Sequence, residues 1–280
     1  METPGLIASR AVACLALLLL AGVPLFLLTA RKEASLPLRA ALAILAVTAG
    51  LASAWWALES VAAMAGLPLA ELDQHTAEVV LAATPLGAVM EWRLTALVAV
   101  ILATLIPLKV LRLPVLALAG GAALASMAWT GHAGASDMAG HRLADVVHLL
   151  AAATWIGALA VFLAQAVAGK AEPATLAAFS RTGSVVVALL ILTGLVNTLA
   201  IAGWPLPFNS RWSALLAIKL VLFALMLGLA AINRWRIVPA LERGAPDGAA
   251  RLRRSLLMES AAGLGVVGMV AWLGILDPAA

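Results

Sequence analysis

Apolar positions along the chain fall in blocks of roughly 20 residues separated by short polar stretches, the pattern of helices cut to the thickness of a bilayer. The blocks predict eight helices at about 7–29, 36–58, 84–107, 111–131, 143–167, 178–202, 211–233 and 255–275. No ten-residue segments of alternating polarity occur, which excludes a membrane β-barrel. The fold class expected is therefore all-α, a polytopic helical bundle forming one membrane domain over residues 1–280. The apolar run of the first block, Ala11 to Ala30, is longer than the ~7–15 residues of a signal-peptide core. No small-x-small cleavage pattern precedes Arg31. The block reads as a span.

Composition supports the same reading. Of 280 residues, 64% are hydrophobic and 11% charged, and the mean hydropathy is +1.06. Soluble domains are about 45–50% apolar and about 25% charged, so a water-soluble globular protein is excluded. The net charge of +4 and the pI near 10.0 do not point to nucleic acid. The basic residues are dispersed between apolar blocks, where they act as topology signals. Of 18 Lys and Arg, 13 fall at the odd-numbered loops. They are Arg31, Lys32 and Arg39; Lys109 and Arg112; Lys170 and Arg181; and six arginines from Arg234 to Arg254. The even side has Arg10, Arg93, Arg142 and Arg211, and Lys219 lies within a span. Odd loops are thus expected in the cytoplasm, with both termini outside, in the periplasm. Trp55, Trp56, Trp129, Trp204, Trp212 and Trp272 fall near the outer ends, as an interfacial belt would.

The longest outer loop, about 59–83, carries Glu59, Glu71, Asp73, His75 and Glu78, and residues 69–82 suit a short amphipathic surface helix. The basic inner stretch near 234–254, with Pro239, Gly244, Pro246 and Gly248, reads as a linker against anionic lipid. A single cysteine, Cys14, allows no intrachain disulfide. There is no phosphate-binding glycine loop, nucleophile elbow or His-Glu-x-x-His motif, so the chain is not expected to be an enzyme. The inner loops are too short to hold the domains of an ATP-driven pump.

The candidate chemistry lies in four histidines, His75, His132, His141 and His148, all mapped to the outer side. His132 ends the fourth predicted helix. His141-x-x-x-Asp145-x-x-His148 opens the fifth. At ~100° per residue these three side chains share a stripe about 60° wide, which Trp155 continues. A polar stripe on an apolar span faces the bundle or a cavity rather than lipid. Seven residues of helix rise ~10.5 Å, too far for His141 and His148 to share one ion on a regular helix. His132 and His148 converge only if the outer loop folds back, and His141 joins them only if the helix begins late. Asp145 suits a carboxylate that accepts the second ring N–H of a ligating histidine. Imidazole with thioether favours copper over zinc, calcium or magnesium. Met138 is the methionine nearest the histidines, and Cys14, Met64, Met90 and Met127 also map to the outer half. For His75 and for each methionine, a plain surface or core role weighs at least as much as ligation.

Other polar groups interrupt the spans. Asn197 is expected to line a cavity at the depth of His148. Glu259 is expected to pair with the basic inner loop, and Lys219 to snorkel outward or pair with a carboxylate such as Glu59. Gly263, Gly265 and Gly268 suit close helix packing.

Trp129-x-Gly131-His132-Ala133, followed by His141-x-x-Ala144-Asp145-x-x-His148-Leu149-x-Ala151-Ala152-x-x-Trp155-x-Gly157, resembles the central signature of the CopD/PcoD copper resistance membrane proteins. Shorter fragments in the same order extend the likeness over most of the chain. They are Thr84-x-x-Gly87 with Arg93, Phe179-Ser180-x-x-Gly183, Thr193-Gly194-x-x-Asn197, Lys219-Leu220 and Ala230-Ala231-x-Asn233-Arg234 with Pro239. The resemblance implies a multi-pass protein of the bacterial inner membrane, with copper ion as the metal handled. It further implies movement of copper from periplasm toward cytoplasm and a periplasmic partner of the CopC type. It marks His132, His141 and His148 as the metal site, with Asp145 and Trp155 in support. The sequence departs from that description in lacking a methionine-rich outer loop. Its inner half offers only Met226 and Met258 as soft ligands.

Three functions follow as expectations: a copper permease with an outward-facing histidine site, a membrane b-type cytochrome with histidine axial ligands to haem, and a copper sensor or delivery factor that does not transport.

Overall fold

The computed structural model describes residues 3–135 and 138–278, and among these there is no β-strand. Eight of the described helices are long and apolar enough to cross a membrane. They are α1 (Pro4–Thr29), α2 (Leu36–Ala65), α4 (Pro85–Thr104), α5 (Lys109–Ala125), α7 (Ala139–Val167), α8 (Pro173–Ala202), α9 (Arg211–Ile232) and α11 (Gly248–Leu273). Short helices α3 (Gln74–Ala83), α6 (Gly131–Ala135) and α10 (Val238–Glu242) lie between them. An even number of spans brings both termini to one end of the bundle, here called the terminal end. Two hydrogen bonds close it: Arg10 Nη1 donates to Gly274 O at 3.0 Å, and His132 Nε2 to Leu276 O at 2.9 Å. The opposite, basic end is laced by ion pairs between loops, Lys32 to Glu172 at 2.6 Å and Lys109 to Glu33 at 2.9 Å.

The predicted spans are all present, but several helices are longer than their apolar blocks. α2 runs to Ala65 because the alanine-rich stretch after residue 58 keeps forming helix, and it stops at Gly66 in the left-handed region, φ 71°. α7, α8 and α11 begin at residues 139, 173 and 248 rather than 143, 178 and 255. A hydropathy window sees only the membrane-depth part of a helix, whereas backbone bonding continues into the polar flanks. The predicted amphipathic surface helix is α3, begun by Asp73, whose side chain accepts from the Thr76 N–H at 2.8 Å. That bond holds the Asp73 carboxyl below its usual range.

The basic stretch 234–254 is not a linker. α9 continues through a π-helical turn, Asn233–Ile237, into α10, which has Pro239 in its first turn, where no N–H is needed. Only 243–247 separate it from α11.

α1 forms the centre of the bundle, packed against α2, α5, α7 and α11. Its most apolar stretch is 67% buried, against 11% for the segment Arg211–Glu242. Small residues allow this enclosure. A Cβ on Gly22 would collide with the Ala153 carbonyl, and one on Gly157 with the Gly22 backbone. α1 and α7 therefore cross backbone to backbone, the close approach of small residues that packs membrane helices. Gly120 lets α5 approach the Leu20 carbonyl in the same way. Gly263 and Gly265 pack against Ile156 and Leu222 as expected, whereas a Cβ on Gly268 would meet nothing within 4 Å. Near the basic end Phe26, Phe162 and Phe179 lock α1, α7 and α8 through edge contacts at 5.0–5.7 Å. The tryptophan belt is incomplete: Trp204 is exposed, but Trp56 and Trp212 are buried within the bundle.

Candidate metal site

α7 carries His141, Asp145, His148 and Trp155 down one stripe, and that stripe faces its neighbours rather than lipid. Asp145 Oδ1 accepts from Asn197 Nδ2 of α8 at 3.0 Å. His148 Nδ1 lies 2.9 Å from Thr193 Oγ1, also of α8. Gly194 leaves room for the ring: a Cβ there would stand 3.5 Å from His148 Cε1. Trp155 Nε1, two turns deeper, donates to Glu259 Oε1 of α11 at 2.9 Å.

Hydrogen bonds hold two of the rings. Thr193 Oγ1, which also donates to Leu189 O at 2.5 Å, and the Leu190 carbonyl both bond the His148 ring, so α8 holds it through two oxygens. His132 Nε2 faces a carbonyl, Leu276 O, which can only accept. Its Nδ1 is the free lone pair in the neutral ring. Burial holds His132 below the ordinary histidine range, helped by the charges of Arg10 and His141 and opposed by the Leu276 carbonyl and Asp277. His132 is thus poised as neutral imidazole, the ligating form. His141 is 3% exposed and neither ring nitrogen has a hydrogen-bond partner. Buried imidazole nitrogens without partners are rare and call for a ligand or ordered water.

The histidines do not form one cluster. Among the described residues, no three His, Cys, Asp or Glu side chains are placed to hold a single metal ion. α7 is regular from Ala139, so His141 and His148 stand two turns apart on it. His132 and His141 are within electrostatic reach of each other, and His141 of Asp145. His148 turns instead toward α8.

The remaining candidates separate from this group. His75 is exposed on the first turn of α3. Met138 is 55% exposed at the start of α7 and Met64 is 59% exposed, whereas Met90 is buried in a separate cluster with Trp56. Cys14 is buried on α1, within electrostatic reach of Arg10 and Asp145. Asn197 is engaged by Asp145 through its Nδ2.

One expected pairing is not made, and another has a different carboxylate as its partner. Glu259 binds Trp155 and, at 3.2 Å, Asn233 Nδ2 instead of the basic loop. The wide π turn directs Asn233 inward, and Glu259 is 3% exposed, out of reach of the loop arginines. Lys219 faces Asp145, not Glu59, because Glu59 accepts from Thr3 Oγ1 at 3.0 Å and Trp55 Nε1 at 3.1 Å. Sequence reasoning missed Thr193, Arg10 and Arg93 as parts of the polar interior. The signal available was the position of both arginines inside spans rather than beside them.

Comparison with known proteins adds an independent line. Residues 1–142 match the family described as copper resistance protein D-like, N-terminal domain, and residues 173–273 match copper resistance protein D. The chain is 37% identical over 306 residues to copper resistance protein D of Pseudomonas syringae pv. tomato, covering 99% of this chain and 98% of that protein. It is 28% identical over 204 residues to the inner membrane protein YebZ of Escherichia coli strain K12, covering 70% of each chain. No solved structure matches.

Proposed function

The chain belongs to the copper resistance protein D family, a multi-pass family of the inner membrane, and from that premise we propose that it binds copper within the terminal end of the bundle and passes it inward. The single observation that carries the reading is the state of the three imidazoles. His132 keeps Nδ1 clear of the carbonyl that takes Nε2, His148 is held in the same stripe by Thr193, and buried His141 presents both nitrogens without a partner. Neutral imidazoles with free lone pairs, beside a carboxylate and with methionine at the helix start, suit copper as cargo. His132 and His141 would receive the ion first. His148, two turns deeper, would be the next station.

The distribution of basic residues favours the terminal end as the periplasmic face, so the ion would enter there, supplied by a small periplasmic protein of the CopC type. In this reading the protein moves its ion and is not an enzyme. The polar stripe of α7 ends at Trp155 on Glu259, so the deeper half offers oxygen and indole rather than a run of thioethers.

Metal analysis with an absorption spectrum on detergent-purified protein tests the proposal, wild type beside His148→Ala and the His132/His148 double alanine variant. The expected result is bound copper in wild type, mostly lost in the single variant and absent in the double. Unchanged copper in both variants sinks the site. A Soret band moves the assignment to haem. Copper uptake into proteoliposomes then separates a permease from a sensor or delivery factor.

A further inference from the structure

The interior of the terminal end holds more positive charge than its carboxylates balance. Arg93 of α4 is 1% exposed and forms no ion pair among the described residues. Its Nε donates to Ser126 Oγ at 2.8 Å and Nη1 to Ser53 Oγ at 3.4 Å, while Nη2 has no partner. Its guanidinium lies over the Trp56 ring at 5.3 Å, and Arg10 lies over the same ring at 6.0 Å. Trp56 is 6% exposed, and its Nε1 likewise has no partner.

Two guanidiniums thus share one indole, with two orphaned donors beside them. The ring supplies each cation with part of its stabilisation, but it cannot accept their in-plane N–H groups. The groups acting electrostatically on Arg93 are Arg10, a like charge, and Cys14. Among the described residues, the one carboxylate acting on either arginine is Asp145, which acts on Arg10 and also faces Lys219. Glu59, one turn from Trp56, is already taken by Thr3 and Trp55. A buried guanidinium without a counter-charge is among the costliest arrangements a membrane interior can hold.

We propose that Arg93 Nη2 and Trp56 Nε1, backed by Arg10, form a binding site for a single small inorganic anion of the halide class. Three helices and a turn surround it: Cys14 from α1, Trp56 and Ser53 from α2, Arg93 from α4 and Ser126 from the turn after α5. Burial of Arg93 and Trp56 to 1% and 6% exposure favours one small ion over an organic acid. The site is separate from the histidines of α7 and does not depend on copper. Its consequence for a cation nearby is direct, because the anion offsets the surplus positive charge that would otherwise repel one.

Thermal unfolding of the purified full chain in potassium chloride or bromide, replaced by gluconate at fixed ionic strength, tests the site. A ligand that binds only the folded state raises the unfolding midpoint saturably. The expected result is a saturable rise in wild type that is absent in Arg93→Gln. In Trp56→Phe, which keeps the ring face and deletes one donor to the charge, half-saturation should move to about tenfold higher halide. Cys14→Ala should keep the response. A flat wild-type response overturns the proposal, leaving water or the Cys14 sulfur as the partner. A response unchanged in Arg93→Gln also overturns it. If Arg93→Gln does not fold, Trp56→Phe and Ser126→Ala decide, and unchanged half-saturation in both sinks the site.

Discussion

The two ends of the bundle use the same residue types in opposite ways. At the basic end, Lys32, Lys109 and Arg251 pair with Glu172, Glu33 and Asp247, and every partner keeps substantial contact with solvent. At the terminal end, Arg10, Arg93, Asp145 and Lys219 lie among helices and are met by serine, asparagine, indole and backbone carbonyl. Exposed pairs set topology and contribute little to stability. Interior charges carry a desolvation cost that structure alone does not repay, which is why an ionisable group inside a membrane marks function. The difference teaches that charges in loops and charges inside spans answer separate questions: the first bear on orientation, the second on where the proposed site lies.

The most severe way to break the contrast is to part the helices that enclose the terminal end. Gly157→Val places a Cβ bearing two methyl groups against the Gly22 backbone of α1. Overpacking of this kind should cost about 3 kcal/mol or more, read as a large drop in unfolding midpoint and in folded yield on size exclusion. A variant as stable as wild type would show that α1 and α7 do not cross backbone to backbone.

Next come the polar neighbours of the imidazoles: Thr193, which bonds His148, and Asp145, which accepts from Asn197 rather than from a histidine and meets His141 only through its charge. Asp145→Ala and Thr193→Val should each weaken copper affinity about 10–100-fold while leaving the fold intact. Thr193→Val is the sharper probe, because it removes one oxygen bonded to His148 and no charge. An unchanged affinity there would mean that copper binding does not depend on this bond.

Acid supplies a smaller effect of known sign. Burial holds native His132 below the ordinary range, whereas an unfolded histidine titrates near ~6.5. The unfolded chain therefore takes up a proton that the native chain refuses. Stability from this residue is constant above that pH and falls as pH drops through it toward the native value. His132→Gln should flatten that fall in a titration of unfolding midpoint against pH; an unaltered slope would show that His132 titrates alike in both states.

The eight spans and the stripe on α7 were legible because each rests on local pattern: apolar blocks of bilayer length, and polar side chains at helical spacing on an apolar face. What was not legible depended on partners distant in the chain. Thr193 meets His148 across 45 positions, and Trp155 meets Glu259 across 104. No periodicity records which neighbour a helix face meets. The same reason applies to Glu259: arginines near it in sequence suggest a partner, while the π turn at Asn233 aims an amide at it instead. The unexpected crossing of Gly22 and Gly157 had a visible ingredient, small residues within two apolar blocks, but its pairing did not.

The smallest expected effect lies at the basic end and is the control for the rest. Lys109 Nζ and Glu33 are 2.9 Å apart, with side chains 69% and 64% exposed. High dielectric weakens their attraction, and fixing two flexible side chains costs entropy, so Lys109→Ala should change stability by about 0–1 kcal/mol. The difference should vanish in high salt, where screening removes what attraction remains. Copper content and the halide response should match wild type, because both are assigned to the other end. A Lys109→Ala protein that lost either would show that the two ends are coupled, and that loop charges here do more than set the direction in which the helices cross.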